Sequence, residues 1–221
     1  MHIYEVEGHK LPSVTTIIHS LGDDNLMRWS NSLGFRHIKY DTEMERTSHF
    51  GTLAHSHMQA IVDKDNANPL EPRNGIEEFE LSKLLTNFIN CIFKYNYKTI
   101  FTEKTIASIE LGYGGTIDWL CTIDKYICLI DFKTSKAPRF GMFLQLGGYY
   151  NLLKTIGYNN IDYAGILTAN KDKAKLHPIN RDTLEYFSKL FDLLAKYYIE
   201  ANSKIDNIPI DYELDSILST K

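Results

Sequence analysis

Cysteine is scarce: there are three in 221 residues, with no Cys-x-x-Cys spacing. That excludes a disulfide framework and a zinc ribbon, and points to a reducing, cytoplasmic-type compartment. No apolar run approaches the ~18 residues of a membrane span. The opening Met1-His2-Ile3-Tyr4-Glu5-Val6 lacks the basic-then-apolar order of an export signal, so no membrane partner is expected. Positive charge is not in excess either: 24 Lys and Arg stand against 28 Asp and Glu, a net charge of -4. A uniformly basic coat for nucleic acid is thereby excluded. Internal repeats, low-complexity tracts and a Gly-x-x-x-x-Gly-Lys-Ser/Thr nucleotide loop are all absent. What remains is ample for a core, with 43% hydrophobic and 12% aromatic residues in a length that suits one domain, 1–221, with peripheral additions.

The hydrophobic period divides the chain into three parts. Residues 1–95 read as mainly helical after a short hairpin over 2–11 that turns at Glu7-Gly8. Helices are expected from Pro12-Ser13 to Leu21-Gly22, over 25–37, 43–63 and 76–95, the last carrying Phe79, Leu84, Phe88 and Ile92, with a loop at 66–75. Residues 97–180 switch to period two, with strands at 97–108, 113–123 and 126–132, turns at Glu110-Leu111-Gly112 and Asp124-Lys125, a helix over 140–156, and strands at 161–168 and 174–179. Residues 182–201 form a helix whose stripe Leu184, Phe187, Leu190, Phe191, Leu194, Tyr198 reads as core. Beyond Asn202 the chain is acidic and expected to pack loosely. The fold class is therefore α/β, a central mixed sheet flanked by helices with an N-terminal helical extension.

A two-residue turn at Asp124-Lys125 sets Asp118 opposite Asp131. Directly opposed like charges are destabilising, so a compensating group is required. Lys133 follows Asp131 by two residues and shares its face, with Leu120 opposite Leu129 below and Ile117, Trp119, Ile130 and Phe132 on the other face. Two carboxylates and an ammonium at the end of an apolar strand pair suit a divalent cation, Mg²⁺ or Mn²⁺, bound by oxygen ligands beside a phosphate. The plainer alternative is a solvated strand end where Lys133 merely neutralises two aspartates.

At these residues the chain resembles the PD-(D/E)XK nuclease superfamily, in its RecB-type exonuclease branch. Four motifs match in order: Gly51-x-x-x-His55, Gly115-Thr116-Ile117-Asp118, Asp131-Phe132-Lys133 and Gln145-x-x-x-Tyr149. Each alone is common, and their order and context over about residues 45–170 carry the resemblance. Leu11-Pro12-Ser13-Val14-Thr15-Thr16-Ile17 also resembles the opening of phage-encoded members and relatives of the mitochondrial genome maintenance exonuclease. The resemblance implies a restriction-endonuclease-like core. It implies a metal held by His55, Asp118, Asp131 and the Phe132 carbonyl, with Lys133 as catalytic lysine alongside Asp131 and Asp118. Gln145 and Tyr149 would position nucleic acid or Lys133, and Thr134 and Ser135 would touch a phosphate. It further implies a DNA exonuclease acting on single strands or strand ends, in company with replication or recombination proteins and in the host cytoplasm if phage-encoded. Three cysteines are too few for the four-cysteine iron-sulfur cluster of some members, so no cluster is expected. A structure- or sequence-specific endonuclease, a non-catalytic DNA-end binder and a magnesium enzyme on a small phosphorylated substrate are the alternatives.

Some positions read two ways. Helical phase places His57 nearer the apolar arc than His55, which only the resemblance elevates. Glu103 is either a third acid near the metal or a strand-edge partner of Lys104 or Lys98. Gly147 and Gly148 weaken a helix and imply close packing against the sheet or nucleic acid. Cys121 and Cys128 oppose each other as reduced core residues. Finally, the net charge conceals a local excess: Lys133, Lys136, Arg139, Lys154, Lys171, Lys173 and Lys175 against Asp162 and Asp172 leave +5, and the rest of the chain -9. Lys136 and Arg139 lead this basic stretch as candidate DNA contacts.

Overall fold

The computed structural model describes residues 3–22, 24–63 and 68–204. The loosely packed acidic tail expected after Asn202 lies, from residue 205 on, outside them, as do residues 64–67 beside the expected loop. Two strands, β1 (Ile3–Val6) and β2 (His9–Pro12), pair antiparallel. Their turn places Glu7 at φ 50° and Gly8 at φ 80°, the doubly left-handed geometry of a two-residue hairpin. Ser13 then caps helix α1 (Val14–His19), its Oγ accepting the Thr16 N–H at 2.9 Å. Helices α2 (Asp24–Phe35), α3 (Tyr40–Val62) and α4 (Gly75–Ile92) follow, the last capped by Asn74, whose Oδ1 accepts from Ile76 and Glu77.

The central sheet runs β3 (Tyr97–Ser108), β4 (Tyr113–Ile123), β5 (Tyr126–Lys133), β6 (Tyr163–Ala169), β7 (Ala174–Asn180) in spatial as well as chain order. Every neighbouring pair is antiparallel except β5 and β6, whose parallel pairing needs a crossover. Helix α5 (Phe140–Thr155) supplies it, and α6 (Arg181–Lys204) closes the described chain. The expected α/β class with a mixed central sheet between helices is what the chain adopts.

Helices cover both faces of the sheet and divide the core in two. Leu53, Met58, Leu84 and Phe88 of α3 and α4 pack on Trp119, Cys121, Cys128, Ile130 and Phe132. On the opposite face Val14 and Ile17 of α1, Leu144 to Leu153 of α5 and Leu184, Phe191 and Ala195 of α6 pack on Ile117, Leu120 and Leu129. Burial on both faces is why β4 and β5 read as near-continuous apolar runs. Every residue of α5 from Leu144 to Leu153 is buried, because that helix lies between the sheet and α1 and α6.

Three expectations need correction. Phe79 points outward, 59% exposed, while Leu81, three residues before Leu84, completes the buried stripe of α4. Ile117 joins the α5 side with Leu120, not the side of Trp119, so the alternation of β4 slips between them. And Gly147 and Gly148 face not the sheet but the helices beyond α5: a Cβ on Gly147 would lie 2.4 Å from the Phe187 carbonyl oxygen of α6, and one on Gly148 3.0 Å from both the Phe191 ring of α6 and Val14 of α1. Helix backbones approach here as no larger residue permits. Gly147→Ala is therefore expected to destabilise by about 2 kcal/mol, overpacking outweighing the gain in helix propensity. Gly34→Ala in α2, where the new methyl meets nothing within 4 Å, should be neutral or stabilising by ~0.5 kcal/mol. Urea unfolding of the two variants checks the contrast.

Candidate metal centre

The centre lies midway along β4 and at the end of β5, where the ladder between them stops and helices from both layers reach in. The register of β4 on β5 runs from Ile123↔Tyr126 to Trp119↔Ile130 and stops there. Asp118 thus does not face Asp131 as a ladder partner. Its Oδ2 instead accepts the backbone N–H of Phe132 at 2.7 Å, across the splayed strands. On its other side β4 borders an irregular stretch of β3, whose register shifts between Thr99 and Phe101 and whose Glu103 adopts φ 46°. A non-glycine residue in the left-handed region stores strain, and here it turns the Glu103 carboxylate toward Asp118. Ligand atoms of His55, Glu103 and Asp118 all lie within 4.8 Å of one another. Of the two readings of Glu103, proximity to the acid cluster is the one realised. Lys104 instead sits over the Phe101 ring at 4.9 Å.

Helix α3 brings His55 to this point, with Nδ1 3.7 Å from Asp118 Oδ2 and the ring edge-on to Phe132. Gly51, one turn earlier, faces Thr134, whose Oγ1 would be 3.9 Å from an added Cβ. His57, which helical phase favours, donates to or accepts nothing here and pairs its Nε2 with the Leu70 carbonyl at 2.8 Å. From the other layer, α5 presents Gln145, whose Nε2 donates to Asp131 Oδ1 at 3.1 Å and to the Tyr149 hydroxyl at 2.7 Å. Gln145 and Tyr149 are buried, so the pair buttresses Asp131. Gly115 makes the pair possible, since a Cβ there would lie 2.7 Å from the Tyr149 ring. Lys133 Nζ stands 2.6 Å from Asp131 Oδ2. No directed hydrogen bond reaches that fully buried oxygen.

The electrostatics follow from burial. Asp131 is pushed up to about 6, by desolvation against the pull of Lys133, and Asp118 is raised for the same first reason. Burial and then the two aspartates lift Glu103 to about 7. Lys133 loses by burial but gains more from Asp131 and Asp118, so it stays an ammonium. His55 falls to about 4 through burial and the nearby Lys133, leaving a neutral ring with a free lone pair, and the Phe132 carbonyl lies beside it. Three carboxyls share one ammonium. Clustered carboxyls in excess of the one ammonium, hard oxygen donors and a neutral imidazole fit a divalent cation of the Mg²⁺ or Mn²⁺ kind. The tight group is His55, Glu103 and Asp118, while Asp131 is drawn toward Lys133 and Gln145.

Beyond the centre, Ser135 turns its hydroxyl to the Ala137 carbonyl, and its own carbonyl accepts from Asn170. That contact ties the loop bearing Lys171 and Lys173 to the strand end before exposed Lys136 and Arg139. Lys175 lies across β6 from Lys133, through Thr168. Lys154 leaves the basic stretch: its ammonium donates to Asn151 and Ser188 between α5 and α6 and covers the Tyr150 ring. Sequence reasoning missed one neighbourhood, the groove between α1 and the start of α5 that Lys133 and Gln145 also line. No spacing signals that α1 comes to lie there.

No family model and no curated protein matches the chain. Two solved structures are similar to it at low identity. The crystal structure of SSO0001 is 14% identical, with 87% of this chain and 78% of that chain covered at a TM-score of 0.38. LHK-Exo in complex with dAMP is 12% identical, with 71% of this chain and 95% of that chain covered at a TM-score of 0.35. Among the described residues no helix is long and apolar enough to cross a membrane.

The pH response of Glu103 tests the centre. With its carboxyl raised from 4.5 to about 7, ionisation disfavours the fold increasingly as pH climbs from 4.5 through 7. Glu103→Gln should therefore stabilise the metal-free protein at pH 8, by about 1 kcal/mol or less given solvent screening, with the gain shrinking toward pH 4.5. Millimolar Mn²⁺ should reverse the order at pH 8, because only the wild type gains the full ligand set. Thermal or urea unfolding at two pH values, with and without Mn²⁺, measures both effects.

Proposed function

We propose that this chain is a metal-dependent nuclease that hydrolyses DNA phosphodiester bonds, acting as an exonuclease on single strands or strand ends in replication, recombination or repair. The whole of 1–221 would serve as one nuclease module. The observation that carries the reading is the fully buried Asp131, paired with Lys133 at 2.6 Å and held by Gln145, next to the His55, Glu103 and Asp118 cluster. Buried charges cost stability unless they are neutralised. Three carboxyls around one ammonium leave an excess of negative charge that a divalent cation would offset.

A divalent cation held there supplies Lewis-acid stabilisation of charge on a phosphoryl oxygen and acidifies water. His55, Asp118 and Asp131, with Glu103 and the Phe132 carbonyl, would hold it. Among the described residues Lys133 is the one cation paired with these carboxylates. Its ammonium, fixed by Asp131, can orient a water for in-line attack and stabilise the anionic phosphorane-like state. Gln145 fixes Asp131 and through it Lys133, and Tyr149 fixes Gln145. Lys136, Lys171, Lys173 and Lys175 border the strand ends and would track a phosphate backbone. Thr134 and Ser135, between Lys133 and Lys136, sit where a phosphate would pass.

Purified Asp131→Asn and Lys133→Ala proteins should lose DNA cleavage by at least a hundredfold while retaining the folded circular-dichroism spectrum; near-normal rates in either would sink the assignment. Linear end-labelled and closed circular single strands, incubated with Mg²⁺ or Mn²⁺, separate the exonuclease from the endonuclease: only the linear substrate should be degraded. Replacing Lys136 and Lys171 together by Ala should weaken single-strand binding and flatten the salt dependence, reducing the log–log slope by about 1.4 for two lost phosphate contacts. An unchanged slope in fluorescence anisotropy would remove these lysines from the path.

A further inference from the structure

On the α1 and α5 side of the strand ends a groove of about 550 Å³ opens directly beside Lys133. Thr15, Ile18 and His19 of α1 form one wall, and Arg139, Phe140 and Met142 form the other. Gly141 lets the walls approach, since a Cβ there would already lie 3.2 Å from the Ile18 side chain. Phe140 is 57% exposed although its ring edge touches Phe187 at 5.6 Å, so a broad aromatic face is left to solvent at the groove. Gln145, itself only 7% exposed, lines the inner end. Its amide nitrogen is occupied by Asp131 and Tyr149. Among the described residues no hydrogen-bond donor meets its Oε1.

These groups are of different kinds and line one groove. An aromatic face and apolar Ile18 and Met142 suit a base, a guanidinium and an imidazole suit a phosphate, and a buried amide oxygen suits a donor on the ligand. A seat for an apolar protein segment would not carry the polar half. The volume falls within the ~300–1,000 Å³ of small-ligand sites. We infer that this groove is the subsite for the terminal nucleotide of the strand whose phosphodiester lies at the Asp131–Lys133 centre, with the base against Phe140 and the terminal phosphate toward Arg139 and His19. The inference rests on the nuclease reading and adds where the strand end is held. Base–aromatic stacking tolerates any base, so the subsite grips an end without reading sequence.

The full chain, free of metal, is titrated calorimetrically with 5′-dTMP, with thymidine and with inorganic phosphate. Wild type and Phe140→Trp should bind dTMP alike, and Phe140→Ala about tenfold more weakly, while thymidine and phosphate alone bind more weakly than dTMP to wild type. Stabilisation by Mn²⁺ should be the same in all three proteins, since Phe140 lies outside the ligand cluster. Failure of wild type to bind dTMP, or equal affinity in Phe140→Ala, overturns the subsite. Binding that follows the expected pattern in a protein unable to cleave DNA with Mg²⁺ or Mn²⁺ upholds the subsite and sinks the nuclease. Cleavage of DNA without dTMP binding does the opposite.

Discussion

Burying like charges side by side is the constraint around which this chain is arranged. Asp131 is fully buried and Asp118 nearly so, in strands that are otherwise apolar on both faces. Each such charge costs several kcal/mol to desolvate, and one ammonium does not neutralise two carboxylates with a third nearby. The surrounding backbone and side chains are spent on this cluster: the Phe132 N–H on Asp118, Gln145 on Asp131, Tyr149 on Gln145. A protein gains nothing for its stability from this arrangement. It makes sense as a pocket of negative potential held open for a cation.

The two-layer architecture follows from the same requirement. A histidine from α3 and a brace from α5 converge on one point only if helices pack on opposite faces of the sheet and both reach the same part of it. Packing α5 against α6 through Gly147, and fitting Tyr149 over Gly115, fixes the brace to within a methyl group. The left-handed Glu103 bends the edge of the sheet so that a residue on β3 also reaches in. Precision at the centre is thus obtained from packing at Gly147 and Gly115 and from the strained Glu103 rather than from more polar contacts.

How much of this was legible in the sequence depends on the range of the interaction that decides each feature. Strands β3 to β5 and their turns were readable to within a residue, because period two and the Asp124-Lys125 turn are local signals. The convergence of Lys133 on Asp131 followed from the same period. Ile117 and the Asp118 pairing were not legible, since neither the end of the ladder between β4 and β5 nor the register shift in β3 has a marker in the sequence. Gly147 advertised a close approach but not its partner, because α6 lies forty residues downstream and nothing in either helix names the other. Lys154 shows the limit of counting charge along a chain: it falls inside the stretch of basic excess, yet its ammonium faces α6. The role of α1 is the least legible of all, for its six residues carry no periodicity that could place them beside Lys133.

One early feature bears on how such a chain comes into being. Tyr4, on the first strand, places its hydroxyl 3.1 Å from Thr116 Oγ1, and Ser13 bridges to Gly114, so the beginning of the chain is clasped to β4 just ahead of Asp118. The remaining members of the centre come from residues as far apart as His55 and Tyr149. Contacts of such sequence separation form slowly and late. On the ribosome, where segments emerge in order, the first strand waits for a partner more than a hundred residues behind it, and the acid cluster gains its Gln145 brace only after α5 has emerged. The cluster is therefore assembled last, together with the finished fold.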